Sequence, residues 1–428
     1  MHQRLRAIAT SFPLIVVVAI ILRLGFFWDY ANQNSHHALG VLPFLFEPGN
    51  IAASLVSGGG FGSPFRVPSG PTAWMAPVYP LLLAGVFRIF GAYTFHSFVA
   101  ATLLNILFST LTCIPIFRIG RRVGSVGVAA GAAWLWAIFP NAILIPFECM
   151  WDASLAALLA AGILWATIEL ADSSRLRDWL GYGALWGLAL MTNPTLLSLL
   201  PFFLGWLIWR RRKAGHEWLK PAAFALGVMV LCCVPWTIRN YLAFDTFVPL
   251  RANLGVQLWC GNSDAAHDLW LGEGHPIHDS FERAHYIELG EIAYEREKRG
   301  LALNYMVTHP RREIHLTWVR FKTFWSGGTP TPLADFVRSR SLWFRYVVLF
   351  NLLTALGSLG GIIVLALRRN VYVFPLAVFP LVFPWAYYLT IVEPRYRQPV
   401  DPVVMLLTAI VLSQFMRKHA INKYIRAN

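Results

Sequence analysis

The sequence has little charge and few cysteines, and both shortages exclude classes of protein. Only 14% of the 428 residues are charged, whereas 57% are hydrophobic and the mean hydropathy is +0.53. A soluble protein of this size exposes more polar surface than such a composition supplies. The five cysteines form no CxxC pair and no Cys/His ligand spacing, so neither a structural zinc site nor a disulfide framework is predicted.

Nucleotide-binding motifs are also missing. There is no P-loop, no GxGxxG motif after a strand, no serine nucleophile elbow and no kinase motif set. The glycine run Gly58–Gly60 lacks the Lys-Ser/Thr pair of a P-loop and is interpreted as a hinge. An ATP-driven transporter and a soluble sugar-nucleotide transferase are therefore disfavoured. The net charge of +14 indicates no nucleic-acid partner, because most basic residues lie in short clusters between apolar runs.

Apolar runs of nearly membrane-spanning length recur along the chain. A helix needs about 20 apolar residues to cross a bilayer, and the 18 Trp and 30 Phe fit aromatic belts at the membrane surface. The basic clusters between the runs mark cytoplasmic loops by the positive-inside rule. The sequence therefore predicts an all-α polytopic membrane protein of about ten spans with both termini cytoplasmic. The predicted spans are 11–28, 97–118, 124–140, 153–171, 179–193, 195–209, 219–239, 342–367, 371–391 and 399–416.

One apolar segment is too short for this pattern. Ala76–Gly91 opens with prolines and contains Arg88, and counting it as a span would place the cluster Arg118–Arg122 outside. We expect a re-entrant or interfacial helix on the outer side that lines a cavity, because irregular backbone at this depth must be buried by protein or water. An ordinary short span is the alternative.

The predicted topology divides the chain into three regions. They are an N-terminal transmembrane catalytic module at 1–240, an extracytoplasmic region at 241–341, and C-terminal spans with a basic cytoplasmic tail at 342–428. The first region carries outer loops at 28–96 and 140–152. The second shows helical spacing at 280–300 and an amphipathic pattern at 305–325, which is typical of a helix lying on a membrane.

Three acids near the predicted outer face are candidates for chemistry. Glu47 lies in the first outer loop, directly before an amphipathic turn and with few other acids around it. A carboxylate shielded at the interface keeps or raises its pKa, as a general base requires. Glu148 and Asp152 are spaced i and i+4, so on a helix they would share a face. The alternatives are a solvated loop acid at Glu47, interfacial acids at the pair, and a helix cap at Asp152.

Two arginines in the sequence EPRYRQP are candidates for binding phosphate. Arg395 and Arg397 lie on the predicted outer side, against the positive-inside bias, so a partner should retain them there. In an extended segment alternate residues project to the same side, and two guanidinium groups placed in this way can clamp a phosphate or diphosphate. The alternative is an internal ion pair with Glu393 or another outer acid.

Other polar residues are weaker candidates for binding a sugar or phosphate. They are Arg239 and Asn262, with Arg251 and Asn253 between them, and Tyr79 in the proline-rich segment. A turn that follows a span often has the composition of 239–262, which is the alternative interpretation. The histidines of the third outer loop, including His275 and His278, are scattered without HExxH spacing, which favours surface or interfacial positions over metal ligands.

Motifs along nearly the whole chain resemble those of the membrane-embedded GT-C glycosyltransferases. The resemblance is closest to the bacterial branch related to protein O-mannosyltransferases and to the lipid A aminoarabinose transferase. The segments that carry it are Glu47 with NIAASLVSGGGFGSP, then PTAWMAPVYPLLLAGVFRIFG, RRVGSVGVAAGAAWLWAIFP, PWTIRNY…GVQLWCGN, HPRREIHLTWVRFKTFW and PRYRQPVDP.

The resemblance implies a multi-span helical body with extracytoplasmic juxtamembrane helices and a sugar donor linked to polyprenyl phosphate. It implies that Glu47 takes the proton of the acceptor while the lipid phosphate departs. The second-loop acid of the family would be Asp152 or Glu148. The late-loop phosphate ligands would be Arg395 and Arg397.

The function that we expect is transfer of a sugar from this donor to an extracytoplasmic acceptor, with inversion, by an enzyme of the inner membrane whose active site is periplasmic. Many relatives carry Asp or an Asp-Glu pair in the first loop, whereas this chain has one Glu, and Asp29 is a competing candidate. A divalent cation is possible, because metal use varies across the superfamily. A flippase for lipid-linked sugars and a surface-polysaccharide polymerase or ligase are the alternatives. A flippase would show inverted repeats and broken helices near the midplane.

Overall fold

The computed structural model describes residues 10–266 and 274–427, which form helices and their connections. Within these ranges the only β-pairing is an isolated bridge between Gly62 and Pro71. The α-helices are α1 (Phe12–Gln33), α2 (His36–Val41), α3 (Glu47–Val56), α4 (Val78–Phe90), α5 (Phe95–Leu111), α6 (Cys113–Val123), α7 (Val126–Ala137), α8 (Pro140–Glu148), α9 (Ala153–Leu170), α10 (Leu176–Leu190), α11 (Leu200–Lys213), α12 (Leu219–Phe244), α13 (Leu254–Gly261), α14 (Ser280–Leu289), α15 (Glu291–Thr308), α16 (Pro310–Ser326), α17 (Pro332–Arg338), α18 (Leu342–Leu367), α19 (Val373–Val382), α20 (Trp385–Tyr388) and α21 (Asp401–Ala427). Short 3₁₀ helices occupy Leu42–Phe44, Pro194–Leu199 and Pro394–Arg397.

The chain is a multi-pass membrane protein, and the all-α prediction is confirmed. Among the described residues, five helices are long and apolar enough to cross a membrane, or up to seven if two bent pairs each count as one span. These five are Phe12–Gln33, Phe95–Val123, Ala153–Leu170, Leu219–Phe244 and Leu342–Leu367. By length and composition, the number of candidate spans is smaller than the ten spans predicted from the sequence. The other five predicted spans lie on the bent pair α7–α8 and on helices α10, α11, α19 and α21, which are shorter, more polar or interrupted.

A bend of 41° separates α7 from α8. Pro140, at the start of α8, has no N–H and cannot continue the hydrogen bonding of α7. The buried Arg23 of α1 donates to the carbonyl oxygens of Trp136 (3.4 Å) and Ala137 (3.3 Å), which would otherwise have no water to bind. The prediction of a tight loop over 140–152 is therefore wrong for most of its length, because a proline at the first helical position begins a helix.

A bend of 97° separates residues 36–44 from α3 and brings Glu47 to the first turn of α3. With 10 residues, α3 rises about 15 Å, and α4 with 13 residues rises about 20 Å, both less than the roughly 30 Å of a hydrocarbon core. Helix α4 packs against α3 and α5. The short apolar helix expected at 76–91 is present, and it lies beside the loop that carries Glu47.

The polar region after α12 covers the first outer loop. Glu291 at the start of α15 accepts hydrogen bonds from the Ala73 backbone N–H (2.7 Å), the Tyr286 hydroxyl (2.7 Å) and the Thr72 hydroxyl. The helical patterns predicted at 280–300 and 305–325 are confirmed as α14, α15 and α16, with breaks at Gly290 (φ 75°) and at Pro310. This packing holds the irregular residues between α3 and α4 in place.

Candidate active site

One cavity of about 930 Å³ lies where seven segments of the chain meet. Its wall is formed by the start of α3, the residues before α4, the residues between α8 and α9, the turn before α11, the residues around α13, the short segment before α14, and α20 with the residues that follow it. Aromatic side chains make up much of the apolar lining: Phe46, Trp74, Trp151, Tyr387 and Tyr396. A concave, mostly apolar site with a few convergent polar groups is the usual form of a ligand pocket.

Glu47 is buried in this wall, with 3% of its surface exposed. Burial raises the pKa of its carboxyl group to about 7, an effect that Glu393 reinforces and that its own backbone N–H, Arg395 and Arg66 oppose. A carboxyl group with this pKa is partly ionised near neutral pH and can accept a proton there. Glu47 is therefore a buried carboxyl group in the cavity wall that can gain or lose a proton near neutral pH.

His275 faces Glu47 across 3.4 Å, measured from Nε2 to Oε1. The ring is 2% exposed, and its Nδ1 accepts a hydrogen bond from the Ile277 backbone N–H (3.2 Å). Burial first, and then the neighbouring His278 and Arg395, lower the pKa of His275 to about 3, so the ring is neutral near pH 7. The expectation of a surface or interfacial position is wrong for His275, because the segment before α14 folds back over the cavity.

Arg395 lies in the cavity wall with its guanidinium carbon 4.1 Å from the centre of the Trp151 ring. It pairs with both carboxylate oxygens of Glu393, one at 2.6 Å from Nη2. Its buried Nε has no hydrogen-bond partner within the described parts of the chain. The internal ion pair considered from the sequence is therefore present, in an arginine that also lines the cavity.

Asp152 also lines the cavity, at the N-cap of α9. Its Oδ2 accepts a hydrogen bond from Asn193 Nδ2 (3.1 Å). Burial raises the pKa of Asp152, against the effects of Arg251, Arg395 and the Asn193 hydrogen bond. Its side chain makes no capping hydrogen bond to α9, so it remains directed to partners outside the helix.

Two of the predicted residue pairs are split by the backbone. Glu148 ends α8, and Cys149 is extended (φ −150°, ψ 118°), so Glu148 and Asp152 do not share a helical face, contrary to prediction. Glu148 is exposed and does not line the cavity. Likewise, Pro394–Arg397 is a 3₁₀ helix rather than an extended segment, and residues two apart on it point in different directions.

Arg397 accordingly points into the protein, where its Nε donates to Asp401 Oδ1 (2.6 Å) and its Nη1 donates to the Trp325 carbonyl oxygen (2.8 Å). The guanidinium is 1% exposed and is not part of the cavity wall. The expectation that both arginines face one ligand is therefore wrong in its geometry.

Two of the remaining predicted binding residues, Arg239 and Asn262, lie outside the cavity wall. Arg239 donates to the carbonyl oxygens of Thr72 (2.7 Å) and Phe61, which joins α12 to the first outer loop. Asn262 is fully buried and donates to the Leu389 carbonyl oxygen (2.8 Å).

Two further side chains also lie outside the wall. The Tyr79 hydroxyl is bonded to the Asn105 side chain, at 3.2 Å from its oxygen and 3.0 Å from its nitrogen. Asp29 is exposed on α1, where it accepts from Gln33 (2.8 Å).

Arg251 and Asn253, two of the weaker candidates, do line the cavity. Arg251 Nη2 lies 3.4 Å from the Thr195 hydroxyl oxygen, so a second cation lies in the cavity wall near Asp152.

The sequence analysis gave no functional role to Trp151, Asn193 or His275. The available signal for Trp151 was its position between the two acids of the sequence ECMWD, whereas nothing in the sequence linked His275 to Glu47.

The donor set of the cavity does not match a metal site. Across residues 10–266 and 274–427, no three His, Cys, Asp or Glu side chains converge as metal ligands. Glu47 and His275 contact each other beside the guanidinium of Arg395, a cation that disfavours a second positive charge there.

Comparison with known proteins supports the resemblance found in the sequence. Residues 73–238 match the family model described as dolichyl-phosphate-mannose-protein mannosyltransferase. This matched segment runs from the residues before α4 into α12. No curated protein matches the sequence at a significant level.

The fold is shared with crystal structures of an oligosaccharyltransferase from Archaeoglobus fulgidus. A complex with Zn and sulfate is 14% identical, with a TM-score of 0.55, and the match covers 96% of this chain and 49% of that one. The AglB complex with an inhibitory peptide and a dolichol-phosphate is 13% identical, with a TM-score of 0.53 and coverage of 97% and 51%. This chain thus spans about half the length of the oligosaccharyltransferase chains that it matches.

The similarity to ArnT from Cupriavidus metallidurans bound to undecaprenyl phosphate is weaker, with 14% identity over 93% of this chain and 77% of that one and a TM-score of 0.38. The GT-C-like helical fold expected from the sequence motifs is confirmed by the oligosaccharyltransferase structures.

Proposed function

We propose that this protein is a glycosyltransferase that moves a sugar from a polyprenyl-phosphate-linked donor to an acceptor on the outer side of the membrane. The observation that carries the proposal is the convergence of Glu47, Asp152 and Arg395 on one cavity in a membrane helical body. The family match at 73–238 and the dolichol-phosphate bound to AglB support a lipid-phosphate donor.

Glu47 acts as the general base in this proposal. Its carboxylate takes the proton of an acceptor hydroxyl, and the acceptor oxygen forms a bond to the anomeric carbon of the sugar. The bond between that carbon and the phosphate oxygen breaks, and its electron pair leaves with the polyprenyl phosphate. A single displacement of this kind inverts the anomeric configuration. The pKa of about 7 suits the task, because a base is most effective when its pKa is near the working pH.

Arg395 stabilises the negative charge that develops on the leaving phosphate. Its Nε is buried without a partner among the described residues, and stacking on Trp151 holds the guanidinium plane in place. A preorganised donor aimed at developing charge is usually the largest single contribution to catalysis. Its pairing with Glu393 offsets the charge of the guanidinium until a phosphate competes for it.

Asp152 binds and orients the acceptor in the same cavity. The carboxylate is held by Asn193, and Arg251 provides a second cation near it. Arg239, Asn262, Tyr79 and Arg397 take structural roles in this proposal, because each is committed to partners away from the cavity.

We place the cavity on the outer side of the inner membrane and the basic loops in the cytoplasm, according to the distribution of arginine and lysine between the helices. The prenyl chain of the donor then lies against the membrane helices, with its phosphate-linked sugar in the cavity. The acceptor is a protein, a lipid or a glycan of the cell envelope.

The test is the substitution Glu47→Gln in purified protein supplied with a polyprenyl-phosphate hexose and an envelope extract as acceptor. We expect the release of polyprenyl phosphate to fall by about 10²- to 10⁴-fold, the usual contribution of a general base, while donor binding stays within a few-fold. In the wild type, release should decline below about pH 7, since protonated Glu47 cannot accept a proton.

The matched control is Glu148→Gln, which neutralises an exposed acid outside the cavity and should leave release near the wild-type rate. Near-normal release from the Glu47→Gln protein would refute the assignment. Movement of the donor across proteoliposomes with no release of polyprenyl phosphate would identify a flippase instead.

A further inference from the structure

The contact between Glu47 and His275 joins residues from opposite halves of the chain inside the cavity wall. Both side chains are almost completely buried, at 3% and 2% exposure, and the Nε2 to Oε1 distance is 3.4 Å. A buried carboxylate loses the hydration that stabilises its charge, so any donor directed at it has a large effect. What this contact does depends on which ring nitrogen carries the proton.

The hydrogen bond on the far side of the ring settles the tautomer. The Ile277 backbone N–H donates to Nδ1 at 3.2 Å, so Nδ1 is an acceptor and carries no hydrogen. A neutral imidazole with an unprotonated Nδ1 has its hydrogen on Nε2. Because Nε2 is the atom that faces Glu47 Oε1, the ring presents an N–H donor to the carboxylate.

Aromatic packing holds the ring in this orientation. The ring of Trp74 lies at 5.4 Å between centroids and that of Phe65 at 6.0 Å, each perpendicular to the imidazole at 89°. Edge-to-face contacts of this kind are favourable and restrict rotation. The donor is therefore fixed before any substrate enters.

The charged groups around the pair favour a neutral ring. His278 lies 6.3 Å away between ring centroids, and its charge and that of Arg395 both disfavour protonation of His275. The positive charges of Arg395 and Arg66 favour the ionised form of Glu47, whereas the negative charge of Glu393 disfavours it. Across the pH range where Glu47 titrates, His275 consequently stays a neutral donor and does not become an imidazolium.

We propose that His275 is a positioning residue for the base: its Nε2–H donates to Glu47 Oε1 and turns the other carboxylate oxygen, Oε2, toward the acceptor. The donor also favours the ionised carboxylate, since a hydrogen bond to the charged form stabilises that form. Only the assignment of Glu47 as a base rests on the proposed function, because the 3.4 Å contact and the hydrogen bond to Nδ1 are present in the protein without substrate.

The first test follows the ionisation of Glu47 without any sugar transfer. Dicyclohexylcarbodiimide reacts with protonated buried carboxyl groups, so labelling of Glu47, read by peptide mass spectrometry across pH 5–10, reports its titration. The substitution His275→Phe keeps a buried ring and removes the donor, and we expect the midpoint to rise by about one pH unit, which is tenfold less carboxylate at a given pH. His275→Gln, whose amide N–H can stand in for Nε2–H, should titrate close to the wild type. Equal midpoints for the Phe and wild-type proteins would overturn the proposal.

The second test needs only the wild-type protein, so it does not depend on whether a variant folds. Histidine labelled with ¹⁵N gives distinct nitrogen signals for the two neutral tautomers and for imidazolium. We expect His275 in the Nε2–H form at pH 7. An Nδ1–H form or an imidazolium at that pH would contradict the proposal.

Transfer kinetics complete the comparison if the proposed function holds. His275→Phe should lower kcat about fivefold at pH 7, recover most of it at pH 9 and leave the KM for the donor unchanged, whereas a merely structural defect would not recover with pH. If the Glu47→Gln protein proves fully active, the proposed function fails, but the labelling and tautomer tests still decide the role of His275.

Discussion

Arg395 and Arg397 are only two positions apart in the sequence, but their side chains have very different surroundings. Arg395 lines the cavity, stacks on Trp151 and keeps a free Nε among the described residues. Arg397 is buried in the core and forms an ion pair with Asp401. The distance from Arg397 Nε to Asp401 Oδ1 is 2.6 Å. The 3₁₀ geometry of Pro394–Arg397 causes this separation, because three residues per turn send residues two apart in different directions.

This contrast predicts different defects for the same change at the two positions. Arg395→Gln removes a charge-assisted contact worth about 1.5–3 kcal/mol, so kcat/KM for the donor should fall roughly 10- to 100-fold with little change in Tm. Glu393 lies in the cavity wall, where water can solvate it once its partner is gone. Arg397→Gln leaves Asp401 buried without its partner, which typically costs about 3–5 kcal/mol, so this protein should unfold at a clearly lower temperature.

Donor kinetics and thermal unfolding in detergent, measured on both variants, distinguish the two roles. A stable Arg397→Gln protein with weakened donor use would mean that Arg397, and not Arg395, binds the phosphate.

At the scale of elements, the position of Glu47 depends on how closely α3 packs against the turn before it. Gly49 lies on the first turn of α3, and a Cβ built there would stand 2.1 Å from the Phe44 carbonyl oxygen and 2.8 Å from its carbon. Only glycine allows the backbone of α3 to approach the 3₁₀ turn Leu42–Phe44 so closely. The sharp bend between the two elements, 97°, is the geometry that turns Glu47 into the cavity.

The substitution Gly49→Ala should therefore displace α3 and with it Glu47. Overpacking of this kind usually costs about 1–3 kcal/mol, and we expect a lower Tm together with a larger loss of transfer than of donor binding. The matched control is Gly85→Ala in α4, where a Cβ meets no atom within 4 Å. That variant should be neutral or slightly stabilised, since alanine is favoured over glycine inside a helix by roughly 0.5–1 kcal/mol. Equal behaviour of the two variants would show that the approach of α3 to Phe44 does not position the base.

At the scale of the whole molecule, the cavity exists only because segments from both halves of the chain meet. Glu291 of α15 holds the residues before α4, Arg239 of α12 holds Phe61 and Thr72, and the segment before α14 brings His275 to Glu47. Clusters of basic residues lie away from the cavity, for example in the last turn of α11, Arg210–Lys213. The proposed orientation puts the cavity outside and these basic turns inside.

Single cysteines test this orientation directly. Ser57 at the end of α3 and Ala214 after α11 are both exposed, and each can be replaced by cysteine in a background where the exposed Cys232 is serine. A membrane-impermeant maleimide should label Ser57→Cys in spheroplasts, and should label Ala214→Cys only after the membrane is permeabilised. The reverse pattern would place the cavity in the cytoplasm and contradict transfer to an outer acceptor.

The sequence alone was sufficient for the fold class. Long apolar runs with basic clusters between them can satisfy their backbone in a membrane only as helices, which is why the all-α polytopic prediction is confirmed without knowledge of any contact. The fold that the resemblance to GT-C glycosyltransferases implies is confirmed by the oligosaccharyltransferase structures, and the family model matches residues 73–238. Glu47 and Asp152 were identified from single positions, and their catalytic roles stay predictions.

The tertiary structure decided which of the candidates share a cavity. Whether Glu148 accompanies Asp152 depends on the break of α8 at Cys149, and whether Arg397 accompanies Arg395 depends on a single 3₁₀ turn. The partner of Glu47 is a histidine far along the chain, and no local pattern of hydropathy or spacing encodes such a meeting. Local sequence determines where helices begin and end and how apolar they are, whereas burial of a charge beside its donor arises only when distant segments pack together.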